Sequence, residues 1–589
     1  MIKDLPRPKI KQRTVDTKRE NQSLEEGVSA LIARIIASRP FLEDVSPKEL
    51  LSPKLKSLDS PQQLADIEKA VSRIIQALEN NEVIGIETDH DCDGQTSHAV
   101  LVVALTEYFG HSPSRLKSYI GHRLKEGYGL SRSVVNRILE DSPRPTLIIT
   151  ADNGSSDEDQ IAELKKVGID VIVTDHHEIP ASGIPKSALA VLNPTREDCH
   201  YPDRYIAGCM VAWLLMAATR QALVARGKEI PSLAPCLDFV AVGTIADCVS
   251  IARSRNNRAV VAYGMKLIQQ GLRPCWRAIL SQLSLPLSSE DLGFKIGPLL
   301  NSDGRLSCAF GSVSYLLSEN DEQAAQWITH LQEQNAQRKS IQDNITQLAL
   351  VEGLKQYQQG KRGLCIFLED GHAGVHGISA SRLKDLFGRP IIIFCAKDNE
   401  PLLLTGSARS VEGVHLKQVL QKVATQDPTV MERFGGHQGA AGLTIQRAKF
   451  DKFAQLFETV LQEDYPEALF GPVIWTDGKF NLDDLTINFA EELVSKLEPF
   501  GREFEFPTFE LSGKIVSLDL LGQTKTHARV GLAVEDLWFE AVWFNCKRAN
   551  EPLSVRVGDK VKVVFAPKLQ TFRGQRKLNC QIVHLELEE

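Results

Sequence analysis

The chain has 589 residues, 43% of them hydrophobic and 24% charged, with a formal net charge of −7. That length exceeds one ordinary core and points to three or four domains of a soluble globular protein. Eleven cysteines without a C-x-x-C pair exclude a disulfide framework and a zinc ribbon.

Residues 1 to about 75 open with Lys3, Arg7, Lys9, Lys11 and Arg13 and then turn amphipathic and helical. The first twenty residues are expected to be flexible. They lack the apolar core of a signal peptide. The longest uninterrupted apolar stretch, Ala207 to Ala218, is too short to span a bilayer, so a cytoplasmic location without membrane contact is expected.

From about 76 to 319 the pattern is α/β, with strands and helices alternating as far as about residue 270. Val83-Ile84-Gly85-Ile86 leads into Asp89-His90-Asp91-Cys92-Asp93-Gly94, and Thr146 to Thr150 leads into Asp152-Asn153-Gly154. A helix over 156–167 closes at Gly168, and Ile169 to Thr174 leads into Asp175-His176-His177. Val211 to Ala225 reads as an apolar helix on the sheet. Residues 320–360 carry a long connecting helix, and 361–475 a second α/β unit with Leu364–Leu368 and Pro390–Phe394 as buried strands. From about 476 to 589, short alternating runs with turns at Gly522, Gly558 and Gly574 fit a small β-barrel.

Three acids at alternating positions, Asp89, Asp91 and Asp93, converge on one side if the chain is extended there. Such a cluster is costly without a cation, and oxygen-rich sites suit magnesium or manganese. Ligands of open α/β sheets sit beyond the carboxyl ends of the strands, where Asp93, Asp152 and His176 all fall. Asp247, closing the apolar segment Leu237 to Ala246, is a fourth candidate. Cys92 reads as a small packing residue. From Lys514 to Lys577 twelve basic residues face six acidic ones, a local balance of +6 that fits a surface following a phosphate backbone. Trp538, Phe539, Trp543 and Phe544 are read chiefly as core, which leaves Phe572, beside Arg573, Arg576 and Lys577, as the base-stacking candidate.

In this order, DHDCDG, ADNGSS, TDHH and GTIAD resemble motifs one to four of the DHH phosphoesterase superfamily. Residues 120–129, the block around Asn301 and Arg305, Gly406-Ser407-Ala408-Arg409-Ser410 and Gly435–Gly442 extend the resemblance to its RecJ exonuclease family, from about residue 60 to the C-terminus. The resemblance implies a DHH α/β sheet domain, a DHH-associated α/β domain beyond the long helix, and an oligonucleotide-binding (OB-like) barrel. It implies two divalent ions, Mn²⁺ or Mg²⁺, without a nucleotide cofactor, on Asp89, Asp91, Asp93, Asp152, His176 and Asp247, with Asp152 bridging. Chemistry would fall to Asp91, Asp93, Asp152, His176, His177 and Asp247. His177 reads as a donor to the phosphate or leaving oxygen, and Asp175 equally as an orienter of the imidazoles or a turn cap. Arg123 and Arg305 would grip the strand, Ser407 and Arg409 receive a 5′-phosphate, and Gly435, Gly436 and His437 line the substrate path. His122 and His376 read as structural or substrate-adjacent.

The implied activity is 5′ to 3′ hydrolysis of single-stranded DNA to mononucleotides, in recombination and repair. No G-x-x-x-x-G-K-[ST] occurs, so a motor is not expected, and the family implies a helicase and a single-strand-binding protein as partners of a monomer. The alternatives are a short-oligonucleotide or cyclic-dinucleotide phosphodiesterase, a pyrophosphatase, or a scaffold without activity. The connecting helix and barrel weigh against the first two, the complete set of acids against the last. Two departures stand out. Ser302-Asp303 replaces two alanines and puts an acid near the presumed phosphate groove, and Arg502–Phe506 replaces a Gly-Asn-rich turn.

Overall fold

The computed structural model describes residues 5–588 except 124, 284, 307, 308, 398, 399, 548–550, 573 and 574, with side chains for the same set less 571, 572 and 575. The N-terminus departs from the expected flexibility. Strand β1 (Lys9–Gln12) is paired, and Asp16 caps the helix Thr17–Glu25 by accepting from the Arg19 N–H.

Strands β2 (Ile84–Thr88), β3 (Leu116–Ile120), β4 (Leu147–Ala151), β5 (Asp170–Thr174) and β6 (Ala190–Leu192) form an all-parallel sheet in the order β3-β2-β4-β5-β6. Every residue of β2 and β4 is buried, as near-continuous apolar runs require when both faces of a sheet are covered. Ile84, Ile86 and Ile149 face the core shared with Val211, Leu215 and Phe239, whereas Ile148 and Val173 pack on the opposite face with Val134 and Ile161. The chain leaves β2 for β3 on one side and returns to β4 on the other. The topological switch point, where such sheets bind ligands, therefore lies between the carboxyl ends of β2 and β4.

The helix Gly208–Ala225 is long and apolar enough to cross a bilayer, contrary to the reading of its uninterrupted apolar run alone. It is packed against Ile67–Glu79, Cys92–Val103 and Leu237–Ala246 in the core. The segment Leu237–Ala246 is itself a buried helix.

The connecting helix Asp321–Gln358 has 38 residues, roughly 57 Å of axis at ~1.5 Å per residue. It leads to a second sheet of β7 (Leu364–Phe367), β8 (Ile391–Lys397), β9 (Glu400–Arg409), β10 (Arg433–Gly436) and β11 (Ala440–Gln446), ordered β10-β11-β9-β8-β7 with only β7 and β8 parallel. Strand β12 (Val473–Thr476) then pairs in parallel with β1. The alternating runs expected from about 476 begin later. The helix Ile487–Leu497 intervenes, and β13 (Phe509–Leu521), β14 (His527–Val534), β15 (Leu537–Trp543), β16 (Lys560–Phe572) and β17 (Gln575–Leu587) close a barrel in the order β13-β14-β15-β17-β16. Gly522 and Gly558 turn with positive φ, and Gly574 lies outside the described residues. Among the barrel aromatics Phe539 is core, while Trp538 on the outward face of β15 and Phe544 just beyond its end are exposed.

One buried side chain holds the barrel's approach to the catalytic sheet. The Arg258 guanidinium donates to the carbonyls of Leu50, Leu497 and Pro499 and stacks on Phe504, with its centre 4.4 Å from the ring centroid. Burial draws its pKa down to about 10, so it stays charged at neutral pH. Arg258→Ala leaves three buried carbonyls without that donor, at ~1–3 kcal/mol for an unsatisfied group. The first thermal unfolding transition should fall by about 5 °C or more, read by circular dichroism; an unchanged transition would deny Arg258 this role.

Candidate metal centre

The DHDCDG block is not extended. Strand β2 ends at Thr88, and a helix begins at Cys92 with Asp91 as its cap, accepting from the N–H groups of Asp93 (2.9 Å) and Gly94 (3.1 Å). The three acids therefore reach one site around a strand-to-helix turn rather than along one face of a strand. Asp93 lies in the first helical turn, 1% exposed, and its oxygens accept from Gly208 N (2.7 Å) and Cys209 N (2.9 Å) at the start of the helix Gly208–Ala225.

Asp152 follows β4 with φ +64, a left-handed conformation that Asp tolerates better than most residues, and is 2% exposed. Its Oδ1 lies 3.1 Å from His176 Nε2, and the same nitrogen lies 3.5 Å from Asp247 Oδ2 and 3.7 Å from Asp93 Oδ2. Asp247 caps the C-terminus of the helix Leu237–Ala246. Donor atoms gather in overlapping sets, each within 4.8 Å: Asp89, Asp91 and Asp152; Asp93, His176 and Asp247; Asp152, His176 and His177. Asp152 belongs to two of them.

Burial first, and then the neighbouring carboxylates, push Asp152 and Asp247 well above the ordinary carboxylate range and raise Asp91. Asp89 moves down instead, because His90 at 2.9 Å outweighs its burial. Burial also lowers His176, with His177 adding to the effect, which keeps the imidazole neutral and able to coordinate. An oxygen-rich set with one neutral imidazole and acids that repel one another fits hard divalent cations.

Asp175 caps the turn and orients the His177 imidazole, and it meets His176 through the backbone. Its Oδ1 accepts from the backbone N–H of His176 (2.7 Å) and His177 (3.1 Å) and from His177 Nδ1 (2.7 Å), and its Oδ2 from Ser155 N (3.0 Å). Burial would raise Asp175, but the hydrogen bond and charge of His177 hold it well below the usual range. Burial likewise opposes the charge on His177, yet Asp175 lifts it to about 9. The His177 ring meets Tyr128 edge-on at 5.9 Å and stacks with His437 at 5.9 Å.

A second group forms beside the acids. Arg305 Nη1 donates to the Gly374 carbonyl at 3.0 Å, and Arg123, Arg338 and Arg409 lie within electrostatic reach of it. Burial first and these like charges second lower Arg305 to about 9. Among the described residues none of the four forms an ion pair, an arrangement that suits an anion. Ser407 and Arg409 share one face of β9. The Asp303 oxygens meet Gly311 N (2.9 Å) and His330 Nε2 (3.3 Å). Gly436 has φ +143, and an added Cβ would strike the Ala440 carbonyl, whereas Gly435, Gly439 and Gly442 have open space beside them. His376 is buried and accepts from the His372 N–H, a structural role. Arg573 lies outside the described residues, and of Phe572 only the backbone, at the end of β16, is described.

Tyr128 and Asn301 lie inside blocks that carry the resemblance, whereas Arg338 and Glu178 carry no sequence signal of their own. Tyr128 donates from its hydroxyl to the Asp152 carbonyl (3.1 Å), and Asn301 Oδ1 accepts from Cys92 N (2.9 Å). Arg338 is one of many polar residues of a long helix. Glu178 lies 3.5 Å from both Lys417 and His437 and joins the two α/β units across the site.

A carboxylate-rich centre at a parallel-sheet switch point, followed by a second α/β unit and a closed barrel, defines a DHH-type architecture. The DHH family N-terminal domain matches residues 83–244, the DHHA1 domain 360–463 and the RecJ OB domain 476–584. The single-stranded-DNA-specific exonuclease RecJ of Haemophilus influenzae is 34% identical over 577 residues, covering 94% of this chain and 97% of its own. The RecJ of Escherichia coli is 33% identical, covering 97% and 98%. The crystal structure of RecJ in complex with Mn²⁺ from Thermus thermophilus shares the fold, with a TM-score of 0.78 at 23% identity over 99% of this chain and 80% of that one. The chain belongs to the RecJ family of single-stranded-DNA-specific exonucleases.

Gly208 permits the contact on which the centre depends, since a Cβ there would stand 2.8 Å from the Asp152 Cβ and 2.9 Å from its Oδ1. Gly208→Ala should displace Asp152 and weaken manganese binding by about tenfold or more, measured by calorimetry. Unaltered affinity would show that the close approach is dispensable.

Proposed function

We propose that this protein is a metal-dependent exonuclease that degrades single-stranded DNA from the 5′ end to mononucleotides. The supporting observation is the convergence of Asp89, Asp91, Asp93, Asp152, His176 and Asp247 at the switch point, next to an arginine group that forms no ion pair among the described residues. These six residues would hold two Mn²⁺ or Mg²⁺ ions, with Asp152 offering donor atoms to two of the sets, and the ions would supply an activated water and charge stabilisation for attack on phosphorus.

The chain's own residues do the rest. The protonated His177, aligned by Asp175, donates to the phosphate or the leaving oxygen. Arg123 and Arg305 grip the strand and Ser407 and Arg409 receive the 5′-terminal phosphate, and their position beside the acids admits an end rather than a continuous strand. Gly435, where no neighbour forbids a Cβ, gives the strand close access to the backbone next to His437. The chain divides accordingly into a catalytic unit (76–319), a connecting helix (320–360), a substrate-binding unit (361–475) and a nucleic-acid-binding barrel (476–589), after an N-terminal segment (1–75). Without an ATP-driven motor motif, a cytoplasmic monomer of this kind acts in recombination and repair on strands that a helicase opens and a single-strand-binding protein covers.

End-labelled single-stranded DNA and RNA, incubated with manganese, magnesium or chelator, test the reading directly. DNA should be shortened from the 5′ end only with metal. Asp152→Ala and His176→Ala should each abolish that hydrolysis with unchanged circular dichroism, and near-normal turnover by either folded variant would overturn the site. Arg409→Ala should cost about tenfold or more in kcat/KM on 5′-phosphorylated ends while sparing 5′-hydroxyl ends, since a charge-assisted contact to phosphate is worth ~1.5–3 kcal/mol. Equal losses on both ends would remove Arg409 from the phosphate pocket.

A further inference from the structure

A groove of about 580 Å³ opens beside Asp247, between the catalytic unit and the barrel. Ala246 and Cys248, which flank Asp247 in the chain, form its inner end, with Phe294 on one wall and Lys568 and Val583 of the barrel on the other. Phe294 is 80% exposed, more than any other large hydrophobic side chain among the described residues. It sits in a widened helical turn, Leu292–Ile296, that keeps Leu292 and Ile296 buried while turning Phe294 outward. Such turns recur at functional sites.

Arg502 enters the same groove from the segment where the family has a Gly-Asn-rich turn. Its Nη1 donates to the Cys248 carbonyl at 3.3 Å, its own carbonyl accepts from Ile251 N at 3.0 Å, and Asp247 lies within its electrostatic reach. The other charges lining the groove are matched: Lys568 pairs with Glu290, and Glu505 with Arg13 and Arg39. Arg502 forms no ion pair among the described residues. The two cationic flanks of the acid cluster therefore differ in place, with Arg305 near Asp91 and Arg502 near Asp247.

We infer that this groove is a nucleotide subsite: a base of the single strand stacks on Phe294, and the adjoining backbone phosphate lies against Arg502. The assignment rests on the nuclease reading for its occupant. With the 5′ end held at the Arg305 flank, the strand beyond the scissile bond passes Asp247 and enters the groove. The exposed ring and the unpaired guanidinium then meet one base and one phosphate, the combination by which single strands are bound without sequence preference.

The test uses the full-length chain and 5′-phosphorylated oligothymidylates carrying one abasic residue at successive positions. One position should lower wild-type kcat/KM by about tenfold, the scale of one base–aromatic stack. Phe294→Ala should show the same loss on the intact strand and no further loss at that position, with Phe294→Tyr restoring the wild-type pattern. Arg502→Gln should couple in the same way to a neutral methylphosphonate at the neighbouring linkage. A Phe294→Ala enzyme that behaves as wild type, or that slows equally on every abasic substrate, overturns the subsite. Anisotropy titrations in chelator separate the two readings. Position-dependent binding that needs Phe294, without hydrolysis in manganese, would retain the groove and remove the nuclease. Hydrolysis without any Phe294-coupled position would do the reverse.

Discussion

Mutual repulsion among buried carboxylates is the constraint around which this molecule is built. Asp89, Asp91, Asp93, Asp152 and Asp247 come together at the end of a parallel sheet, where burial and then the neighbouring carboxylates disfavour the charges of Asp91, Asp152 and Asp247. The protein answers with fixed dipoles: a helix N-terminus on Asp93, a cap on Asp91 and His90 on Asp89. Those contacts leave Asp152 and Asp247 without comparable compensation. A hard cation is the natural remainder of such a set, because its charge reverses the local preference for neutral acids.

The same repulsion explains why distant segments converge. No single loop supplies enough dipoles, so acids arrive from β2, β4 and the helix Leu237–Ala246, and the imidazoles from the end of β5. Asp175 then acts on both histidines at once, fixing their backbone turn and lifting His177 into its charged form, while burial keeps His176 neutral. Two adjacent histidines thereby shift in opposite directions, His176 down and His177 up to about 9. The difference is set by environment, not by residue type.

The sheet and the acids were legible in the sequence because parallel strands are written as unbroken apolar runs, and a polar residue that ends such a run can only sit at the strand's end. That logic located Asp152 and His176 well. It misjudged the DHDCDG block, where alternation imitates a strand although Asp91 is a helix cap, and it left the apolar segment Leu237–Ala246 open, which periodicity cannot assign when every side is buried. Strand β1 was illegible for a different reason: its partner, β12, lies more than four hundred residues away, and pairing at that distance leaves no local pattern. The RecJ resemblance supplied the arginines near the acids, but not Arg338, whose place on a long polar helix resembles any solvated position until the helix is packed.

The two appended units dock on different flanks of the acid cluster because their connections leave the catalytic unit at different places. The helix Asp321–Gln358 carries the second α/β unit to the Arg305 flank, where Arg305 meets Gly374 and His437 stacks on His177. The barrel instead reaches the Asp247 flank through the segment 497–504, held by Arg258 and by the Ile251–Arg502 backbone hydrogen bond. Its contact with the catalytic unit leaves a groove rather than a sealed interface. The attachment of the barrel therefore places its Lys568 and Val583 across a groove from Ala246 and Cys248, the chain neighbours of Asp247.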